Sequence, residues 1–147
     1  MKKTLMVVLL ILVIVAVVVV IKYQNIQKEK AEVLKYNALY EEYNTTALNG
    51  LDITTIINKA VNNNERNGVE KEESDGVKFY KDNGKDSVII EIKMIINGKT
   101  YRMEQINQLG IDSFTEYFAE VKFDCTDVKY HESTGKISYM LFEAKEY

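Results

Sequence analysis

Seventeen consecutive apolar residues, Leu5 to Ile21 (LMVVLLILVIVAVVVVI), follow Lys2 and Lys3 and precede Lys22. With Thr4 the segment has about 18 residues, which at roughly 1.5 Å per residue spans about 27 Å, close to the roughly 30 Å hydrocarbon core of a bilayer. Lipid offers no hydrogen bonds to a backbone, so a single segment of this kind must be helical. A cleavable signal peptide would carry a shorter apolar stretch, about 7–15 residues, closed by a small-x-small site. Ala16 is the one small residue near the end of this run, and valines surround it. The segment therefore reads as a retained single-pass anchor inserted in the bilayer through Leu5–Ile21. A short basic tail ahead of the first apolar segment favours a cytoplasmic N-terminus and a C-terminal part outside, against the opposing pull of Lys22, Lys28, Lys30 and Lys35.

Neither glycine nor proline occurs before Gly50, so the helix can continue past the lipid as a stalk to about Tyr43. Tyr23 suits an interfacial anchor. Val33, Tyr36, Tyr40 and Tyr43 form a narrow apolar stripe on the stalk, which either packs beneath the sheet of the same chain or meets a protein partner. The expected organisation is an anchor at 1–22, a helical stalk at 23–49 and a small domain at 50–147.

Asn49-Gly50 ends the stalk. A helix is expected from Asp52, as N-cap, to about Glu65, with Ile53, Ile56, Ile57, Ala60 and Val61 on one face. Residues 69–75 are charged and read as a loop. From Val77 the apolar period becomes two. Val77–Tyr80 is a short strand turning at Asp82-Asn83-Gly84. In Ser87–Ile96 the residues Val88, Ile90, Ile92, Met94 and Ile96 face one way. Asn97-Gly98 predicts a type I′ hairpin, which would pair Met94 with Tyr101, Ile92 with Met103, and Glu91 with Glu104. Ser113 and Glu116 resemble a capping box for a helix whose Phe114, Tyr117, Phe118 and Val121 share a face. Phe123, Cys125, Val128 and Tyr130 form a strand with a bulge near Thr126. After a turn at Glu132–Gly135, the chain returns with Ile137, Tyr139 and Leu141 facing inward. The fold class is α+β: a transmembrane helix continued as a stalk, two further helices, and an antiparallel sheet of about five strands.

Composition narrows the function. The net charge of −3, less the +2 of Lys2 and Lys3, leaves about −5 on the part after the anchor. An acidic domain with no basic stripe is a poor nucleic-acid binder. Cys125 is the single cysteine and His131 the single histidine, so an internal disulfide is excluded and a four-ligand zinc site cannot be assembled from them. Six residues apart on one strand, they would lie roughly 20 Å from each other, too far for a nucleophile and its base. Asp82-Asn83-Gly84-Lys85-Asp86 has acidic residues around a glycine but lacks the spacing and closing glutamate of a calcium loop. Glu41-Glu42 and Glu72-Glu73 read as solvated charge. Catalytic, cofactor-binding and metal-binding residues are accordingly expected to be none, and the chain is expected not to be an enzyme.

The order of a short basic start, one hydrophobic helix, an amphipathic stalk and a sheet resembles the layout of type IV pilins and pseudopilins. The resemblance is of layout and not motif, because Thr4 precedes the run and no acidic residue lies within it. The segments GLDITTIINKAVNNNERN (50–67), YRMEQINQLG (101–110) and YHESTGKISYMLFE (130–143) resemble those of small uncharacterised membrane-anchored proteins of low-G+C Gram-positive bacteria. Together these readings lead to the expectation of an extracytoplasmic, non-catalytic interaction or envelope-associated module on a single-pass anchor, with a pilin-like filament subunit as the alternative.

Overall fold

A computed structural model describes residues 2–95 and 98–145. The chain forms two compact units, Met1–Lys35 and Tyr36–Tyr147.

The first unit belongs to helix α1 (Lys2–Glu41). Among the described residues, α1 is the one helix long and apolar enough to cross a membrane, and no part of its apolar window is buried. An anchor and a signal sequence share that property. The last turns of α1, from Tyr36, belong to the second unit.

The second unit continues with α2 (Gly50–Arg66), β1 (Lys71–Ser74), β2 (Val77–Tyr80), β3 (Ile89–Lys93), β4 (Thr100–Arg102), α3 (Met103–Leu109), α4 (Ile111–Tyr117), β5 (Phe123–Tyr130) and β6 (Ile137–Ala144). It is an α+β fold, but the strands divide into a two-stranded sheet, β1-β2, and a four-stranded sheet ordered β4-β3-β6-β5. The larger sheet is mixed rather than antiparallel, since β3 and β6 run parallel. Hydrophobic patterning reports which face a strand buries and says nothing of the direction of a distant neighbour, so this pairing lay outside its reach.

Helix α2 buries Ile53, Ile56, Ile57 and Ala60, as their spacing requires. Its N-cap is Asn49, not Asp52. Asn49 Oδ1 accepts from the Asp52 N–H at 3.0 Å, and the Asp52 carboxylate accepts from the Asn49 N–H at 2.9 Å. The two form a reciprocal capping box that begins the helix three residues early.

Residues 71–74 are strand β1 rather than loop. Asp75 and Gly76, at φ 52° and 75°, supply the left-handed pair that a tight hairpin needs. All four β1 residues are exposed, so no apolar alternation announced the strand. In the β3–β4 hairpin Ile92 lies opposite Tyr101 and Glu91 opposite Arg102. This is a two-residue shift from the expected register that keeps the same faces inward. The Gly98 N–H donates to Ile95 O at 3.3 Å and the Met94 N–H to Lys99 O at 2.9 Å. The expected Asn97-Gly98 turn lies partly outside the described residues, as does Ile96.

The shift ends β4 at Arg102 and allows helix α3 to start at Met103, where the sequence pattern suggested continued strand. Met103 and Ile106 enter the core, and Glu104 is buried rather than set opposite Glu91. Helix α4 begins at Ile111, two residues before Ser113, and buries Phe114 but leaves Tyr117 83% exposed.

Strand β5 has its register shift between Cys125 and Asp127, where a bulge was expected. On β6 the buried residues are Ile137, Met140 and Phe142, whereas Tyr139 and Leu141 are half-buried. The inner face of the sheet is formed by pairs such as Ile90 with Met140 and Ile92 with Phe142. Tyr40, Tyr43 and the α2 isoleucines join them in one core. The outer face is polar: the Tyr139 hydroxyl donates to Glu91 at 2.8 Å, and Lys93 pairs with Glu143 at 3.2 Å.

Candidate functional site

The side chains with catalytic potential are tied into the fold. His131 is 4% exposed, and its Nε2 lies 2.8 Å from Ser87 O, an acceptor, which places the proton on Nε2 in the neutral ring. Its Nδ1 lies 3.6 Å from Asp82 Oδ1. The Cys125 thiol points toward Asp127 O at 3.8 Å, and burial pushes its pKa up to about 11. That holds it as thiol at neutral pH, the opposite of an activated nucleophile.

The acidic loop at 82–87 closes on itself. Asn83 Oδ1 accepts from the N–H groups of Lys85, Asp86 and Ser87 at 2.9–3.0 Å. Asp82 Oδ1 accepts from the Gly84 N–H at 2.8 Å and the Ser87 hydroxyl at 2.9 Å. Asn83 Oδ1 and Asp82 Oδ1 are thus engaged by donors of the loop itself. Among the described residues no three His, Cys, Asp or Glu side chains converge in a metal-holding group. The β5–β6 turn clasps this loop: Ser133 donates to Gly84 O, Thr134 to Lys85 O at 3.0 Å, and Lys136 pairs with Asp86.

Two asparagines bond the backbone where strands β3 and β6 begin. Asn64 bonds both backbone groups of Val88, and Asn37 donates to Gly135 O while accepting from the Ile137 N–H, each at 2.8–2.9 Å. In the stalk stripe, Tyr40 and Tyr43 lie in the core of the second unit with Tyr36 packed against it. These three rings are thus taken up by their own fold.

A different place remains open. A cleft of about 280 Å³ lies between the β1-β2 hairpin and helices α2 and α3, walled by Val61, Val77, Tyr80, Asn107 and Gln108. Glu104, from the first turn of α3, lines it with its side chain 5% exposed. Glu104 Oε1 accepts from the Tyr80 N–H at 2.9 Å and from Arg102 Nη2 at 3.0 Å. Its Oε2 is buried without a hydrogen-bond partner, and so is Arg102 Nε. Glu65 stands at the cleft, where the Tyr80 hydroxyl donates to it at 3.3 Å and Lys71 lies 4.0 Å away. The Lys71 ammonium also sits 4.3 Å from the centre of the Tyr80 ring. Burial raises the Tyr80 pKa, so its hydroxyl stays a donor.

Sequence reasoning placed none of these residues in a site. Glu104 was assigned to an outer strand face, and the cleft draws on three segments spread over 61–108. The Asp75-Gly76 dipeptide was the available signal, since it marks the hairpin that forms one wall.

Comparison with protein-family models finds no match, and comparison with curated proteins and with solved structures finds none either.

Proposed function

We propose that this chain is a single-pass membrane protein that holds its α+β unit outside the cytoplasm as a non-catalytic binding module. The observation that carries the reading is one exposed apolar helix long enough to cross a membrane joined to an α+β unit with an open cleft.

The reading is tested by topology. Glu73 is exposed on β1, so Glu73→Cys in a Cys125→Ser background gives one reactive thiol. A membrane-impermeant maleimide should label it in intact cells. Labelling only after permeabilisation would put the unit in the cytoplasm and sink the proposal. A second reading, a pilin-like subunit, draws support from the 40-residue N-terminal helix leading into a sheet-bearing unit. Recovery of the chain in sheared surface filaments would favour it.

A further inference from the structure

The cleft holds an unmet electrostatic demand. Glu104 is 7% exposed, yet one of its carboxylate oxygens has no donor. Leaving a buried acceptor unpaired is unfavourable, and more so for a charged group. Arg102 does not relieve it. Its Nη2 bonds both Glu104 Oε1 and Tyr80 O, at 3.0 and 2.8 Å, while its guanidinium sits 5.0 Å from the centre of the Phe79 ring. The pair therefore meets through one nitrogen and one oxygen instead of a two-pronged fork, and Oε2 is left over.

The surroundings indicate which donor would fill the gap. Glu65 adds a second carboxylate, Asn107 and Gln108 add amides, and Val61 and Val77 add apolar wall. Lys71 already shows how an alkylammonium is received here, between the Tyr80 ring and Glu65. Lys71 and Lys78 also line the cleft and match Glu65 and Glu104 in number, which leaves no surplus of negative charge for a polycation. A volume of about 280 Å³ admits one short chain ending in a single ammonium.

We infer that the cleft binds a primary alkylammonium, its nitrogen drawn to the carboxylates of Glu104 and Glu65 and its carbon chain lying against Val61 and Val77. The inference rests on the binding-module reading and names the chemistry of its ligand. The ammonium can come from a free amine or from a lysine side chain of a peptide.

The test uses the full-length chain in detergent micelles, followed by two-dimensional amide NMR. The probes are n-butylammonium, Nα-acetyl-lysine amide, and acetate as an anionic control. Either ammonium probe should shift the Gly76 and Tyr80 amides saturably, with a Kd of about 1 mM. Tighter binding of the lysine amide assigns a peptide-borne source, and equal binding a free amine. Glu104→Gln should weaken binding at least about tenfold, the loss of one charge-assisted hydrogen bond. Glu65→Gln, on a side chain 58% exposed, should retain the fold and weaken binding about threefold. No saturable shift by either ammonium, or a shift by acetate in their place, overturns the inference. It would do so whatever the topology experiment finds, so the two readings fail separately.

Discussion

Asn64 and Val88 exchange two hydrogen bonds: Asn64 Nδ2 donates to Val88 O and Asn64 Oδ1 accepts from the Val88 N–H, both at 2.8 Å. One side-chain amide on α2 thus serves as the missing neighbour of the residue that enters β3. Asn64 and Val88 are both fully buried, so water does not compete for these groups. The geometry also fixes the distance between α2 and the sheet, which stacks Ile53, Ile56 and Ile57 over the core.

Asn64→Leu should therefore cost more than its apolar gain returns. It strands a buried N–H and a buried C=O, each at about 1–3 kcal/mol. We expect a loss of about 2–4 kcal/mol in urea unfolding of the full-length chain, against less than about 0.5 kcal/mol for the exposed control Glu72→Gln. Equal midpoints for the two variants would show that the Asn64 bonds contribute nothing.

Gly50 tests a close approach between helices. A Cβ at this position would lie 2.7 Å from Phe118 O and 3.0 Å from Phe118 C, both backbone atoms. Alanine is a better helix former than glycine by about 1 kcal/mol. Overpacking against a fixed backbone costs about 1–3 kcal/mol, so the clash prevails. Gly50→Ala should lower the melting temperature by several degrees, whereas Gly50→Ser should lower it at least as much. A rise with alanine would mean that the end of α4 yields freely.

The legible parts of this fold were those whose reason is local. Helix α2 announced itself through Ile53, Ile56, Ile57 and Ala60, and β3 through Val88, Ile90 and Ile92. The bulge in β5 was visible because the apolar phase changes between Cys125 and Val128. What escaped notice depends on distant partners. Tyr139 and Leu141 continue the alternation from Ile137, but β6 lies between β3 and β5 with an irregularity opposite Lys129 and Tyr130, and the inward phase moves to Met140 and Phe142. Glu104 looked like surface charge because sequence patterning cannot see that Arg102 and the Tyr80 N–H await it. The cleft was illegible for the same reason.

Stability should weaken in acid partly through Asp82. The Gly84 N–H above all, helped by the Ser87 hydroxyl and His131, holds its pKa below the usual value, while burial opposes them. Because the folded pKa lies below the unfolded value of about 3.9, the stabilisation is complete above that value and is lost as pH falls through the folded pKa. The side chain is 63% exposed, so the effect is modest. Asp82→Asn retains an oxygen that can accept from Gly84 and Ser87, so stability near pH 7 should change little, while the decline below about pH 4 becomes shallower. Urea midpoints measured across the acid range decide it, and an unchanged slope in Asp82→Asn would remove Asp82 from the account.

The last turns of α1 give the sharpest test of how the stalk stripe is used. Tyr40 is 2% exposed and Tyr43 8%, and the Tyr36 and Tyr40 rings lie 5.4 Å apart at 47°. Leu39, between them in sequence, is 51% exposed. If the second unit depends on this helix for its cover, removing the Tyr40 ring opens a cavity costing about 3–5 kcal/mol, a fall of roughly 10–20 °C in melting temperature. Leu39→Ala, a comparable deletion on the solvent side, should shift melting by no more than a few degrees. Tyr40→Phe keeps the ring and should cost less than about 1 kcal/mol, since the hydroxyl's hydrogen bond to Lys59 O is long, at 3.5 Å. Circular dichroism melts of the full-length chain in micelles compare all three. If Tyr40→Ala melted like Leu39→Ala, the stripe would not be part of the core, and its tyrosines would be free to meet a partner.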